Sequence, residues 1–170
     1  MSSGRASRGF TLIEMLVVIS IITILGGLLL VAISAARSRA MISRTDAQIK
    51  LISAAILRYE QDFQDFPPGA GDEEGLEGAE SLLECLSTEK KEGPYLKAGE
   101  VPTSDVDGDG RYEMEDAWRQ PIRYWHHRDY RNQPPRKGDF RLISNGPNRQ
   151  FEGGAPESDD VVNWDRERPQ

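Results

Sequence analysis

Three aspartates alternate along one short acidic stretch, Asp105, Asp107 and Asp109; Gly110 follows them, and Asp116 stands at the twelfth position counted from Asp105. Alternating carboxylates, a glycine that permits a tight turn and a closing carboxylate are what a loop needs to wrap a hard divalent cation. Asp105, Asp107, Asp109 and Asp116 are therefore expected as one metal-ligand set. The competing reading is a polar loop built on Asp-Gly turns, with Asp116 occupied structurally. His126 and His127 are adjacent, and neighbours on a strand point to opposite faces, so they do not share a metal or a proton-transfer role. Cys85 is the single cysteine, which excludes an intrachain disulfide and any cysteine-based zinc cluster. No serine or cysteine sits in a nucleophile setting and no glycine-rich phosphate loop occurs, so an enzyme is not expected. Trp118, Tyr124, Trp125 and Trp164 are read as packing residues rather than as a stacking platform.

The remaining chemically unusual residue is Glu14. It is the only charge between Phe10 and Ala36, an apolar block of 27 residues. Roughly 20 apolar residues cross a bilayer core, so this block is long enough to span one, and it is too long for a cleaved secretory signal. A carboxylate inside such a span costs about 2.5–3.5 kcal/mol at mid-membrane unless it is paired. No lysine or arginine lies in the block. A partner must therefore come from a new N-terminus or from another chain. Charge is also divided along the sequence: through Tyr59 it is +5, and from Glu60 onward it is −12. An acidic C-terminal two-thirds argues against a phosphate-backbone partner, whose affinity comes from clustered lysine and arginine, and no nucleic acid is expected.

Arg8-Gly9-Phe10-Thr11-Leu12-Ile13-Glu14, followed by Met15-Leu16-Val17-Val18-Ile19, resembles the leader junction of type IV pilins and pseudopilins. The resemblance implies that a prepilin peptidase removes residues 1–9 on the cytoplasmic side. Gly9 then precedes the cut, and Phe10 becomes the N-methylated mature terminus. It also implies that Glu14 meets the Phe10 amine of a neighbouring subunit, which supplies the missing cation and favours one axial register. Residues 10–36 are then the transmembrane and assembly half of a long helix, and residues 37–170 a periplasmic globular domain.

Beyond Ala36, Ile42, Ile49, Ile52, Ile56, Tyr59 and Phe63 follow a helical period and mark one apolar face. Pro67-Pro68 ends the helix. Leu76, Leu82, Leu83 and Leu86 predict a short second helix carrying a buried or half-buried Cys85. Ile122–His127, Phe140–Ser144 and Val161–Trp164 are short strand candidates. One long helix followed by few short strands is α+β. Gly93-Pro94-Tyr95-Leu96, Val101-Pro102, Asp116-Ala117-Trp118-Arg119-Gln120-Pro121, Phe140 through Asn148, and the Asp159-Asp160-Val161 and Asn163-Trp164 closings are similar to the major pseudopilins of type II secretion systems. Residues 103–115 read as an insertion in that pattern.

That resemblance implies the pilin fold, in which the long helix packs on a small antiparallel sheet carrying a calcium loop. Asn148, Asp159 and Asp160 are the implied side-chain ligands, helped by carbonyls near Asn145. The family usually has Asp where Asn148 stands. It further implies a single-pass protein of the bacterial inner membrane, N-terminus cytoplasmic, that polymerises with copies of itself and meets minor pseudopilins and an inner-membrane assembly platform. Two alternatives stay open at this point: an adhesive or DNA-uptake pilus subunit, and a membrane-anchored periplasmic domain that binds a ligand with calcium.

Overall fold

The computed structural model describes residues 12–70, 75–126 and 140–164. Gly9 and Phe10, and His127 with them, lie outside the described residues. Two compact units divide the chain, Met1–Arg39 and Ala40–Gln170. Helix α1, Leu12–Phe63, runs through 52 residues.

In the first unit α1 is apolar on every side. Among the described side chains from Leu12 to Ile33, the large apolar ones are between 44% exposed, at Val18, and 83% exposed, at Leu12. An amphipathic helix would hide one stripe; this one hides none. Two of its hydroxyls turn inward, Ser20 donating to the Leu16 carbonyl at 2.8 Å and Thr23 to that of Ile19 at 2.8 Å. A polar group satisfied within its own helix is what an apolar solvent demands.

The second unit is built on the other face pattern. Ile49, Ile52 and Ile56 of α1 are buried, and Tyr59 and Phe63 pack partly buried on the same core. Ile42 departs from the expected stripe, since it stays 38% exposed. Thr45 takes the buried position one turn on, and its hydroxyl accepts the Ala117 amide at 3.1 Å. The helix ends at Phe63, with Gln64 in the left-handed region at φ 60°. Beyond it, the buried Tyr124 hydroxyl donates to the Pro67 carbonyl at 2.6 Å.

Helix α2, Leu76–Leu86, buries Ala79, Leu82 and Leu86 at a three- and four-residue spacing. It starts from Gly75 at φ 70°, whose bare α-carbon faces the Trp125 indole. A β-carbon there would come within 2.6 Å of that ring, so the start of α2 requires glycine. The strands are β1, Thr103–Ser104; β2, Glu113–Met114; β3, Arg123–Trp125; β4, Arg141–Ser144; and β5, Val161–Val162. β1 and β2 form an antiparallel pair, Thr103 opposite Met114 and Ser104 opposite Glu113. β3, β4 and β5 form an antiparallel sheet in that order. Residues 103–115, expected as a loop-like insertion, are therefore a hairpin whose two-residue strands are too short to show alternation. At the sheet's far edge Asn163 substitutes for backbone: its Oδ1 accepts the Leu142 amide at 2.8 Å and its Nδ2 donates to the Phe140 carbonyl at 3.1 Å.

Candidate functional site

Two groups of carboxylates converge among the described residues. The first is Glu152, Asp159 and Asp160, with their oxygens within 4.8 Å of one another. The loop from β4 to β5 positions them. Gly146 sits at φ 66°, and a β-carbon on it would lie 2.2 Å from the Asp159 carbonyl oxygen, so only glycine lets the two arms of this loop touch. Across that contact the Asn148 amide donates to Asp159 Oδ2 at 3.0 Å, and the Asp159 amide donates to Glu152 Oε2 at 3.3 Å. Asp160 is buried, and its Oδ2 accepts the Gly154 amide at 2.7 Å. Beside Gly146, Asn145 is also buried, and its Oδ1 has no hydrogen-bond partner. A buried amide oxygen without a donor, in the same loop as three gathered carboxylates, fits an oxygen-coordinated cation.

Of the expected ligands here, Asp159 and Asp160 come together. Asn148 is tied to the group by its backbone amide, while its side-chain Oδ1 accepts the Gln150 amide at 2.6 Å. Glu152 was missed from the sequence. Its one signal in the sequence is that it lies in the same loop as the two aspartates.

The second group corrects the expected set of Asp105, Asp107, Asp109 and Asp116. The structure gathers Asp107 and Asp109 with Glu80 of α2 and Glu113 of β2, their oxygens again within 4.8 Å of one another. Asp105 instead shapes the loop: its two oxygens accept the Gly108 amide at 2.7 Å and the Gly110 amide at 3.0 Å. Asp116 belongs to another part of the fold. Its Oδ1 accepts the Trp118 amide at 2.7 Å and the Gln120 amide at 2.9 Å, and its Oδ2 accepts the Ser144 hydroxyl at 2.6 Å. The extended run through β2 carries the chain past the cluster before Asp116 is reached. Burial pushes the Asp116 carboxyl above its ordinary range, against these three hydrogen bonds. Burial likewise raises Glu80 and Glu113, and the nearby aspartates add to the rise.

The other candidates are structural. Trp118, Tyr124 and Trp125 are buried, and Trp125 stacks on Phe151 with ring centroids 5.7 Å apart. His126 is buried with Nε2 3.4 Å from Asp65 Oδ1. Cys85 is a free, half-buried thiol.

An apolar, all-round exposed N-terminal helix joined to an α+β head carrying an acidic loop defines a pilin-type subunit, and residues 4–34 match the prokaryotic N-terminal methylation motif. Residues 32–164 match the family described as type II secretion system (T2SS), protein G, and the chain belongs to that family. It is 29% identical over 161 residues to the type II secretion system core protein G of Pseudomonas aeruginosa, covering 95% of this chain and 97% of the relative. No solved structure matches it. The chain is thus a pseudopilus subunit, anchored in the inner membrane by its N-terminal apolar helix.

Proposed function

We propose that this protein is the major building block of a periplasmic pseudopilus that drives type II secretion, with a structural rather than a catalytic role. The observation that carries the reading is the apolar half of α1, whose described large side chains stand uncovered from Leu12 to Ile33. Exposed to water, each such side chain forfeits about 1.5–3 kcal/mol of burial. Lipid covers them before assembly, and helices of other subunits cover them in a filament. Prepilin peptidase cuts after Gly9, the Phe10 amine is methylated, and Glu14 pairs with that amine on an adjacent copy. The N-terminus faces the cytoplasm and the head faces the periplasm. There it meets minor pseudopilins and the inner-membrane assembly platform.

Calcium is proposed for the β4–β5 loop, held by Glu152, Asp159 and Asp160. Asn145 Oδ1 and the Asn148 region complete the oxygen shell. Three carboxylates without nitrogen or sulfur donors suit a hard cation. An ion there offsets the repulsion that gathering them creates and fixes the edge strand β5.

Intact mass of the membrane-extracted protein is the first test, and a chain beginning at methylated Phe10 is the expected result. Glu14→Ala is expected to leave insertion and processing unchanged and to stop filament assembly. A mature protein that still begins at Met1, or normal filaments from Glu14→Ala, overturns the assembly mechanism.

A further inference from the structure

The carboxylates of Glu80, Asp107, Asp109 and Glu113 come from three separate stretches of chain, one helix, one hairpin loop and one strand. Glu80 is 3% exposed and Glu113 1% exposed, whereas Asp107 and Asp109 lie on the surface. Four carboxylates facing one another within 4.8 Å repel strongly unless something positive joins them. Among the described residues one guanidinium joins the group: Arg111 pairs with Glu80. That contact answers one carboxylate of the four.

Glu113 provides the observation that points to a ligand. Its Oε2 accepts the Val106 amide at 2.8 Å, but its Oε1 is fully buried and has no hydrogen-bond partner. A buried carboxylate oxygen without a donor is costly, and this one belongs to a group whose other members carry spare oxygens. Asp107 and Asp109 each use Oδ1 to accept a loop amide, from Asp109 at 3.2 Å and from Arg111 at 2.8 Å. The set contains oxygen donors only, arranged by an irregular loop, which suits calcium better than a metal that seeks nitrogen or sulfur.

We infer that Glu80, Asp107, Asp109 and Glu113 form a second calcium site, separate from the β4–β5 loop, that fastens the β1–β2 hairpin onto α2. The buried glutamates form its floor and the exposed aspartates its lid. Arg111, whose side chain is 48% exposed, holds Glu80 in the absence of the ion and swings toward solvent when calcium enters. The site is independent of the filament role and of the other acidic loop.

Isothermal titration of the full chain in detergent with calcium chloride tests it, with thermal melting alongside. In an Asp159→Asn background, which disables the β4–β5 cluster, one calcium is expected to bind and to raise Tm. Adding Asp107→Asn and Asp109→Asn is expected to weaken that binding at least 100-fold and to abolish the rise in Tm. Asparagine keeps the Oδ1 acceptors that shape the loop, so the fold survives the change. Glu113→Gln, tested separately, is expected to weaken binding at least tenfold. Arg111→Gln is expected to tighten binding several-fold, because it removes a competing cation. The inference is overturned if Asp159→Asn binds no calcium at millimolar concentration. It is equally overturned if Asp107→Asn/Asp109→Asn leaves affinity and melting as they were, or if Arg111→Gln lowers Tm while calcium affinity stays the same. A difference between wild type and Asp159→Asn alone reports on the β4–β5 loop and not on this site.

Discussion

Asp116 accepts two backbone amides and the Ser144 hydroxyl, and Ser144 Oγ in turn accepts the Gly146 amide at 3.2 Å. A chain of hydrogen bonds therefore runs from the Asp-Ala-Trp turn, through the end of β4, to the glycine on which the acidic loop closes. Asp116→Ala strands two amides and a hydroxyl, and a loss on the order of 3 kcal/mol is expected from denaturant melts. Asp116→Asn keeps an acceptor for the amides and serves as the pH control. The wild-type carboxyl is raised above its unfolded value by burial. Its contribution is thus fully present below the ordinary carboxylate range, roughly pH 4, and is lost as pH rises through the raised value. Wild type should therefore lose stability relative to Asp116→Asn as pH climbs from 4 toward 7 in the presence of a chelator; a flat difference would contradict the assignment. Gly146→Ala places a β-carbon against the Asp159 carbonyl in a left-handed backbone. The expected cost is about 3 kcal/mol, together with loss of the calcium-dependent rise in Tm attributed to Glu152, Asp159 and Asp160. Calorimetry with and without calcium reads both effects.

At the scale of elements, α2 links the long helix's core to the sheet. Leu82 is fully buried among Ile49, Ile52, Ile56 and Tyr124 in the shared core, so Leu82→Ala should destabilise the Ala40–Gln170 unit by about 3 kcal/mol, read as a lower denaturant midpoint at unchanged slope. A Leu82→Met protein, which conserves volume, should stay within about 1.5 kcal/mol of wild type. Both helices, and the strands around Tyr124 and Leu142, were legible because apolar period and breakers agree over enough residues: Ile49, Ile52 and Ile56 for α1, Leu76, Leu82, Leu83 and Leu86 for α2, the Pro67-Pro68 stop. β1 and β2 were not, since two residues carry no period. The same limit explains the misread acidic motif. A twelve-residue spacing assumes that one loop folds around its ion, but the pairing of Ser104 with Glu113 makes the chain extended there. Asp116 is carried away, and Glu113 and the distant Glu80 are brought in. Convergence of residues 33 positions apart is set by tertiary packing, and no local pattern announces it.

Across the whole molecule, the two units obey opposite solvents. From Leu12 on, the first unit's described side chains present apolar surface outward, whereas the second unit has a core of its own. Stability and anchoring should therefore respond to different substitutions. Leu25→Asp/Leu28→Asp puts two carboxylates into the apolar block at a combined cost of roughly 6 kcal/mol at bilayer depth. The gain from a span of leucine and isoleucine, at about 0.3–0.6 kcal/mol each, is comparable, so membrane retention should collapse. The head buries neither residue and its Tm should hold to about 1 °C. Leu82→Ala should do the reverse, melting earlier while remaining resistant to alkaline extraction from membranes. Fractionation by alkaline extraction, followed by melting of each fraction in detergent, measures the two properties in one preparation. A double aspartate variant that unfolds the head, or a Leu82→Ala variant that leaves the membrane, would show that the units depend on each other and that the exposed helix is not an independent anchor.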